Sequence, residues 1–139
     1  MTAREKQIEL ARYRLCQARE TLEEAVYLLA GDKSPRSVIN RAYYSMFYAI
    51  LALLVFEPFS SSKHSGVISY FNKRFIKEGV LPERLGRSVN KAFELRQRGD
   101  YREYAELTRG QVEPFIGETE EFLTGIQCYL DEHVFRHPE

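Results

Sequence analysis

Between Ala3 and Ala30, Ile8, Leu15, Leu22 and Leu29 recur every seven positions, and Ala11, Ala18 and Ala25 each follow three residues after one of the first three. This repeat constrains the fold more than any other feature. It draws one apolar seam along an α-helix, and the small residue at every second seam position lets a neighbouring helix approach closely. Gly31 is the predicted stop, since glycine readily takes the left-handed conformation that ends helices.

The neighbour is close at hand. Ser34-Pro35 combines a good N-cap with the residue favoured at the first helical position. The following helix is predicted to run to about Val55 and to end before Glu57-Pro58. Val38, Ile39, Ala42, Tyr43, Met46, Phe47, Ile50, Leu53 and Leu54 make it apolar nearly all round, which places it at the centre of a bundle. The uninterrupted stretch Ala42–Phe56 holds three tyrosines and a serine and falls short of the ~20 apolar residues of a membrane span. The start, MTAREKQIEL, lacks the apolar core of a signal peptide. A cytoplasmic protein without membrane contact is expected.

Beyond a serine-rich loop at Phe59–Lys63, a third helix is predicted over His64–Glu78, with Val67, Ile68, Phe71 and Phe75 on one face and Gly79 closing it. Pro82 opens a fourth, carrying Leu85, Val89, Ala92, Phe93 and Arg96, and Gly99 interrupts it. Asp100–Leu107 reads equally as loop or short helical turn. A last helix spans about Gln111–His133, with a seam of Val112, Phe115, Phe122, Ile126 and Tyr129 and Thr119 as its polar member. The expectation is an all-α fold: a single domain over residues 1–139, built as an up-and-down antiparallel bundle of four to five helices. At this length and 44% hydrophobic content the chain needs no disulfide or metal to fold. Cys16 and Cys128 are expected as reduced thiols in or near the core.

The zero net charge hides an uneven spread. Met1–Ser62 carries +1, Lys63–Arg109 +5 and Gly110–Glu139 −6. A basic middle beside an acidic end is either an internal complement between helices or an anion-binding face next to a solvated acidic helix.

Glycine-rich dinucleotide fingerprints, P-loops and HExxH are all missing from the sequence, and His64, His133 and His137 are too scattered to suggest a metal site. No metal and no cofactor are expected. Three clusters remain. Asn40 and Arg41 stand beside Tyr43, Tyr44 and Tyr48; Asn40, Tyr44 and Tyr48 share a helix face. They form either a polar stripe lining a cleft or tyrosines that give core area and send their hydroxyls to solvent or a partner. Ser62-Lys63-His64 sits at a helix start, suited to phosphate or to plain capping. Arg96-Gln97-Arg98-Gly99-Asp100-Tyr101-Arg102 offers either a helix-end Arg96–Asp100 ion pair or a phosphate fork with the Tyr101 hydroxyl turned back beside it.

The blocks SPRSVINRAYYSMFYAILALL, SSKHSGVISYFNKRFIKEGVL and LRQRGDY occur together in this order. In this the chain resembles the HEPN family, in particular its small stand-alone bacterial and archaeal branch, over about Ala18–Leu130. The resemblance implies a helical bundle and a homodimer with a cleft between protomers. It also implies a toxin-type protein of a toxin–antitoxin pair, encoded beside a minimal nucleotidyltransferase, that binds RNA or nucleotide and can act as a metal-independent ribonuclease. In active members an Arg is followed four to six residues later by His. Arg96 matches that Arg, but the residue five later is Tyr101. A tyrosine hydroxyl, with an ordinary pKa near 10, is a poor base at neutral pH, which leaves His64 as the candidate base. On this reading Arg96, Tyr101 and His64 carry any catalysis, and Asn40, Arg41, Tyr44, Lys63 and Asp100 bind nucleotide, with Asp100 orienting Arg96. The alternatives are a non-catalytic nucleotide- or partner-binding dimer, with Tyr101 open to modification by the partner enzyme, and a helical dimer whose polar stripe only specifies its interface.

Overall fold

The computed structural model describes residues 1–99 and 106–136. Its elements are α1 (Ala3–Ala30), α2 (Pro35–Leu54), α3 (His64–Phe71), α4 (Glu83–Gly99), the single turn α5 (Arg109–Val112) and α6 (Pro114–Leu130). No strand occurs among the described residues, and the fold is an all-α bundle.

The α1–α2 hairpin is the most extensive contact among the described elements, and it forms where the seam predicts. Ala11, Ala18 and Ala25 are fully buried, with Leu15 and Leu22 between them. The small side chain of Ala18 lets α2 come close enough for Ser45 Oγ to donate to the Ala18 carbonyl at 2.7 Å, so the buried hydroxyl is satisfied across the interface. α2 then contacts α3, α4, α5 and α6 as well as α1, and Val38, Ile39, Ala42, Tyr43, Met46 and Ile50 are fully buried. An apolar surface on all sides requires this central place.

Local signals act largely as expected. Ser34 accepts from the Ser37 amide at 3.2 Å, with Pro35 in the first turn of α2. Gly79 takes φ +75° where the third helix ends. α1 stops at Gly31 as predicted, but not by the expected conformation. Gly31 has φ −84°, and Asp32 is the left-handed residue, at φ 55°. Lys33 N–H donates to Leu28 O and Asp32 N–H to Leu29 O, so the helix closes around an aspartate, a residue that tolerates this region better than most. The third helix widens to a π-helix over Asn72–Lys77, and the chain after α6 does the same over Asp131–Phe135.

Two further expectations are corrected. Cys16 and Cys128 are free thiols, but both are exposed; they lie on outward faces of α1 and α6, and a small hydrophobe is readily tolerated there. In the α6 seam, Leu123 and Leu130 are buried while Tyr129 is half-exposed. The acidic end does meet basic partners: Arg84–Glu121 (3.4 Å) joins α4 to α6 and Arg19–Glu120 joins α1 to α6.

Candidate functional site

The first turn of α3 and the later turns of α4 meet over the middle of α2. Lys63, His64 and Ser65 from the start of α3, with Phe93, Arg96 and Gln97 from α4, line an open hollow of about 440 Å³. His64 and Arg96 thus share one site, as the phosphate reading requires. No side chain caps the α3 N-terminus, so its first-turn N–H groups add positive potential beside Lys63.

Aromatic rings from α2 form the floor. His64 stacks on Phe47 at 4.1 Å between centroids, and its Nδ1 lies 2.8 Å from the Tyr43 hydroxyl. Tyr43 is fully buried and packs against Phe93. The Arg96 guanidinium carbon sits 5.2 Å from the Tyr43 ring centroid and 5.1 Å from that of Tyr44, and Arg96 Nη2 donates to the Tyr44 hydroxyl at 3.2 Å. The rings orient the guanidinium without neutralising it. Arg96 Nε is buried and has no hydrogen-bond partner among the described residues, and no carboxylate among them pairs with Arg96.

Titration behaviour follows from this packing. Burial pushes the Tyr43 hydroxyl far above the ordinary tyrosine range, and the Arg96 charge only partly opposes it. Burial, and then the Arg96 charge, push His64 below its ordinary 6.5. The neutral imidazole is therefore favoured at pH 7.

The other proposed residues divide. Tyr44 links Arg96 to a second guanidinium, since the Arg41 guanidinium carbon lies 5.3 Å from the Tyr44 ring centroid. Arg41 itself is engaged: Asn40 Oδ1 accepts from its Nε and Nη2 at 3.1 and 2.9 Å, and Glu24 pairs with Nη1 at 3.4 Å. Arg41 borders a different hollow, about 630 Å³, with Glu20, Glu23, Glu24, Tyr27 and Leu28. Asn40 and Arg41 are thus brought to the same helix as the site but not into the hollow of His64 and Arg96. Asp100 and Tyr101 lie outside the described residues. No group of three or more His, Cys, Asp or Glu side chains among the described residues could hold a metal.

Sequence reasoning missed Phe93 in the lining of the hollow, the stacking of His64 on Phe47 and the direct bond between Tyr43 and His64. The available signal was Tyr43 on α2 facing an imidazole at the start of α3, but helix spacing cannot show which elements meet.

The HEPN domain profile matches residues 11–129. The chain belongs to the HEPN domain family. This HEPN chain is 40% identical over 132 residues to a UPF0332 protein of Thermotoga maritima, covering 95% of this chain and 97% of that protein. It is also 35% identical over 108 residues to a protein of Methanocaldococcus jannaschii named as a candidate toxin (78% and 80% covered) and 37% identical over 92 residues to a second one so named (66% and 63%). No described helix is long and apolar enough to cross a membrane.

Proposed function

We propose that this chain is a HEPN toxin-type protein that binds RNA or a nucleotide through a phosphate held in the hollow between α3 and α4. The observation that carries the reading is the meeting of His64 and Arg96, with Lys63, in one open hollow. A guanidinium at the edge of the hollow with no carboxylate partner among the described residues keeps its charge and its outer Nη donors for a phosphate oxygen. The names of the archaeal relatives favour the toxin role. A minimal nucleotidyltransferase as antitoxin partner and a homodimer with the hollow at its cleft complete the proposal.

Cleavage without metal would need a group to take the proton of the attacking 2′-hydroxyl. Tyr101 at the motif position favours the second reading, a binding module that holds RNA without cutting it.

Fluorescence anisotropy with a labelled single-stranded RNA tests the site. Losing charge-assisted hydrogen bonds to phosphate should weaken Arg96→Ala by roughly tenfold to a hundredfold. Equal affinity of wild type and variant would remove this site from the account. Incubation of the same RNA with chelator present separates binding from metal-independent cleavage.

A further inference from the structure

What His64 can do to a ligand depends on which ring nitrogen carries the proton. Nδ1 is engaged by Tyr43 at 2.8 Å, so Nε2 is the nitrogen left for anything in the hollow. Distance alone permits two arrangements: the Tyr43 hydroxyl donates to a bare Nδ1, or Nδ1–H donates to the tyrosine oxygen.

The surroundings distinguish them. Tyr43 is fully buried, and its ring is enclosed by Tyr44, Phe47 and Phe93. The charge nearest to it is the Arg96 guanidinium over the ring, which can only donate. Among the described residues, His64 Nδ1 is the acceptor that the Tyr43 hydroxyl reaches. If Nδ1 carried the proton, the hydroxyl proton would be left buried with nothing to receive it, and a buried donor without an acceptor is disfavoured. The balance corresponds to a population ratio on the order of ten to one or more. Burial and the Arg96 charge also keep the ring neutral, so that only one nitrogen is protonated.

We infer that Tyr43 is a positioning residue that holds His64 in its Nε2–H form, so that His64 meets the ligand as an N–H donor and not as a base. This rests on the phosphate-binding reading of the hollow and sharpens it. Arg96, Lys63 and His64 then all present donors, a set that suits the anionic oxygens of a phosphate ester and offers the imidazole lone pair to no 2′-hydroxyl. The ligand is held by its phosphate and is not deprotonated by His64.

The test reads the free protein first. Long-range ¹H–¹⁵N correlation spectra of the full-length, uniformly labelled chain at about neutral pH report each histidine tautomer, and a His64→Gln spectrum assigns the His64 signals. The expected result is a pyridine-type Nδ1 and a pyrrole-type Nε2. In Tyr43→Phe, which keeps the ring and removes the hydroxyl, the two tautomers should mix, and affinity for a labelled single-stranded RNA should fall roughly two- to tenfold. A pyrrole-type Nδ1 in the wild type overturns the inference, as does a tautomer pattern unchanged by Tyr43→Phe. The wild-type spectrum decides even if that variant folds poorly. A wild type that shows the Nε2–H form but binds no RNA leaves the Tyr43 role standing and removes the phosphate-binding reading instead.

Discussion

Replacing Arg96 by methionine separates a residue kept for a ligand from one kept for the fold. In the free protein the guanidinium leaves a buried Nε without a partner among the described residues, at a cost of about 1–3 kcal/mol. Against that stand one hydrogen bond to Tyr44, worth about 1 kcal/mol, and two ring contacts, each about 0.5–1 kcal/mol where solvent reaches them. These terms nearly cancel, and methionine refills the slot between the rings with apolar, adaptable volume. Urea unfolding of Arg96→Met should therefore stay within about 1 kcal/mol of wild type, or about 4 °C in Tm for a chain of this size. The same variant should lose at least about tenfold in RNA affinity. Its His64 pKa should move up toward the ordinary value, because one of the two causes of its depression is gone. A loss of more than about 3 kcal/mol would show that Arg96 is a structural pillar and would refute the reasoning.

Ala18→Leu should be far more costly to stability although it touches no ligand. It would push α1 and α2 apart at a fully buried position (about 1–3 kcal/mol) and would strand the Ser45 hydroxyl now bonded to the Ala18 carbonyl (another 1–3 kcal/mol); a thermal melt within about 2 °C of wild type would contradict the packing described. The depressed pKa of His64 gives stability a pH dependence of known sign. Between its ordinary 6.5 and its lower folded value the unfolded chain binds more protons, so this contribution is present above about pH 6.5 and is lost as pH falls through the folded pKa. Tm measured against pH should accordingly decline less steeply on acidification in His64→Gln than in wild type, and identical acid slopes would contradict a depressed His64.

The bundle was legible because its signals are local. The α1 seam, the Ser34-Pro35 start and the all-round apolar surface of α2 each act within a few turns of chain, and each appears in the structure where the periodicity puts it. α1 ends at Gly31 as its sequence indicates, but the left-handed residue is Asp32, one position on, because the closing hydrogen bonds form around it. Cys16 and Cys128 were misplaced because a residue type says little about which side of a helix it occupies. At the site, Arg96, His64, Lys63 and Tyr44 could be named from their types and order, since phosphate chemistry uses few side chains. Which of them share a hollow depends on the crossing of α3 and α4 over α2, and no spacing within one helix encodes that. Arg41 shows the same limit: its identity suggested a ligand, while its side chain is engaged by its neighbour Asn40 and by Glu24 on the facing helix α1.

The central claim is that the hollow of Lys63, His64 and Arg96 is where a phosphate sits. Backbone and side-chain NMR shifts followed during titration of the wild-type chain with a short single-stranded RNA test it most directly. The account predicts saturable changes centred on Lys63, His64, Ser65, Phe93, Arg96 and Gln97, weakening as salt is raised. Changes centred instead on the hollow of Glu20, Glu24, Tyr27 and Arg41, or no saturable change at all, would contradict it.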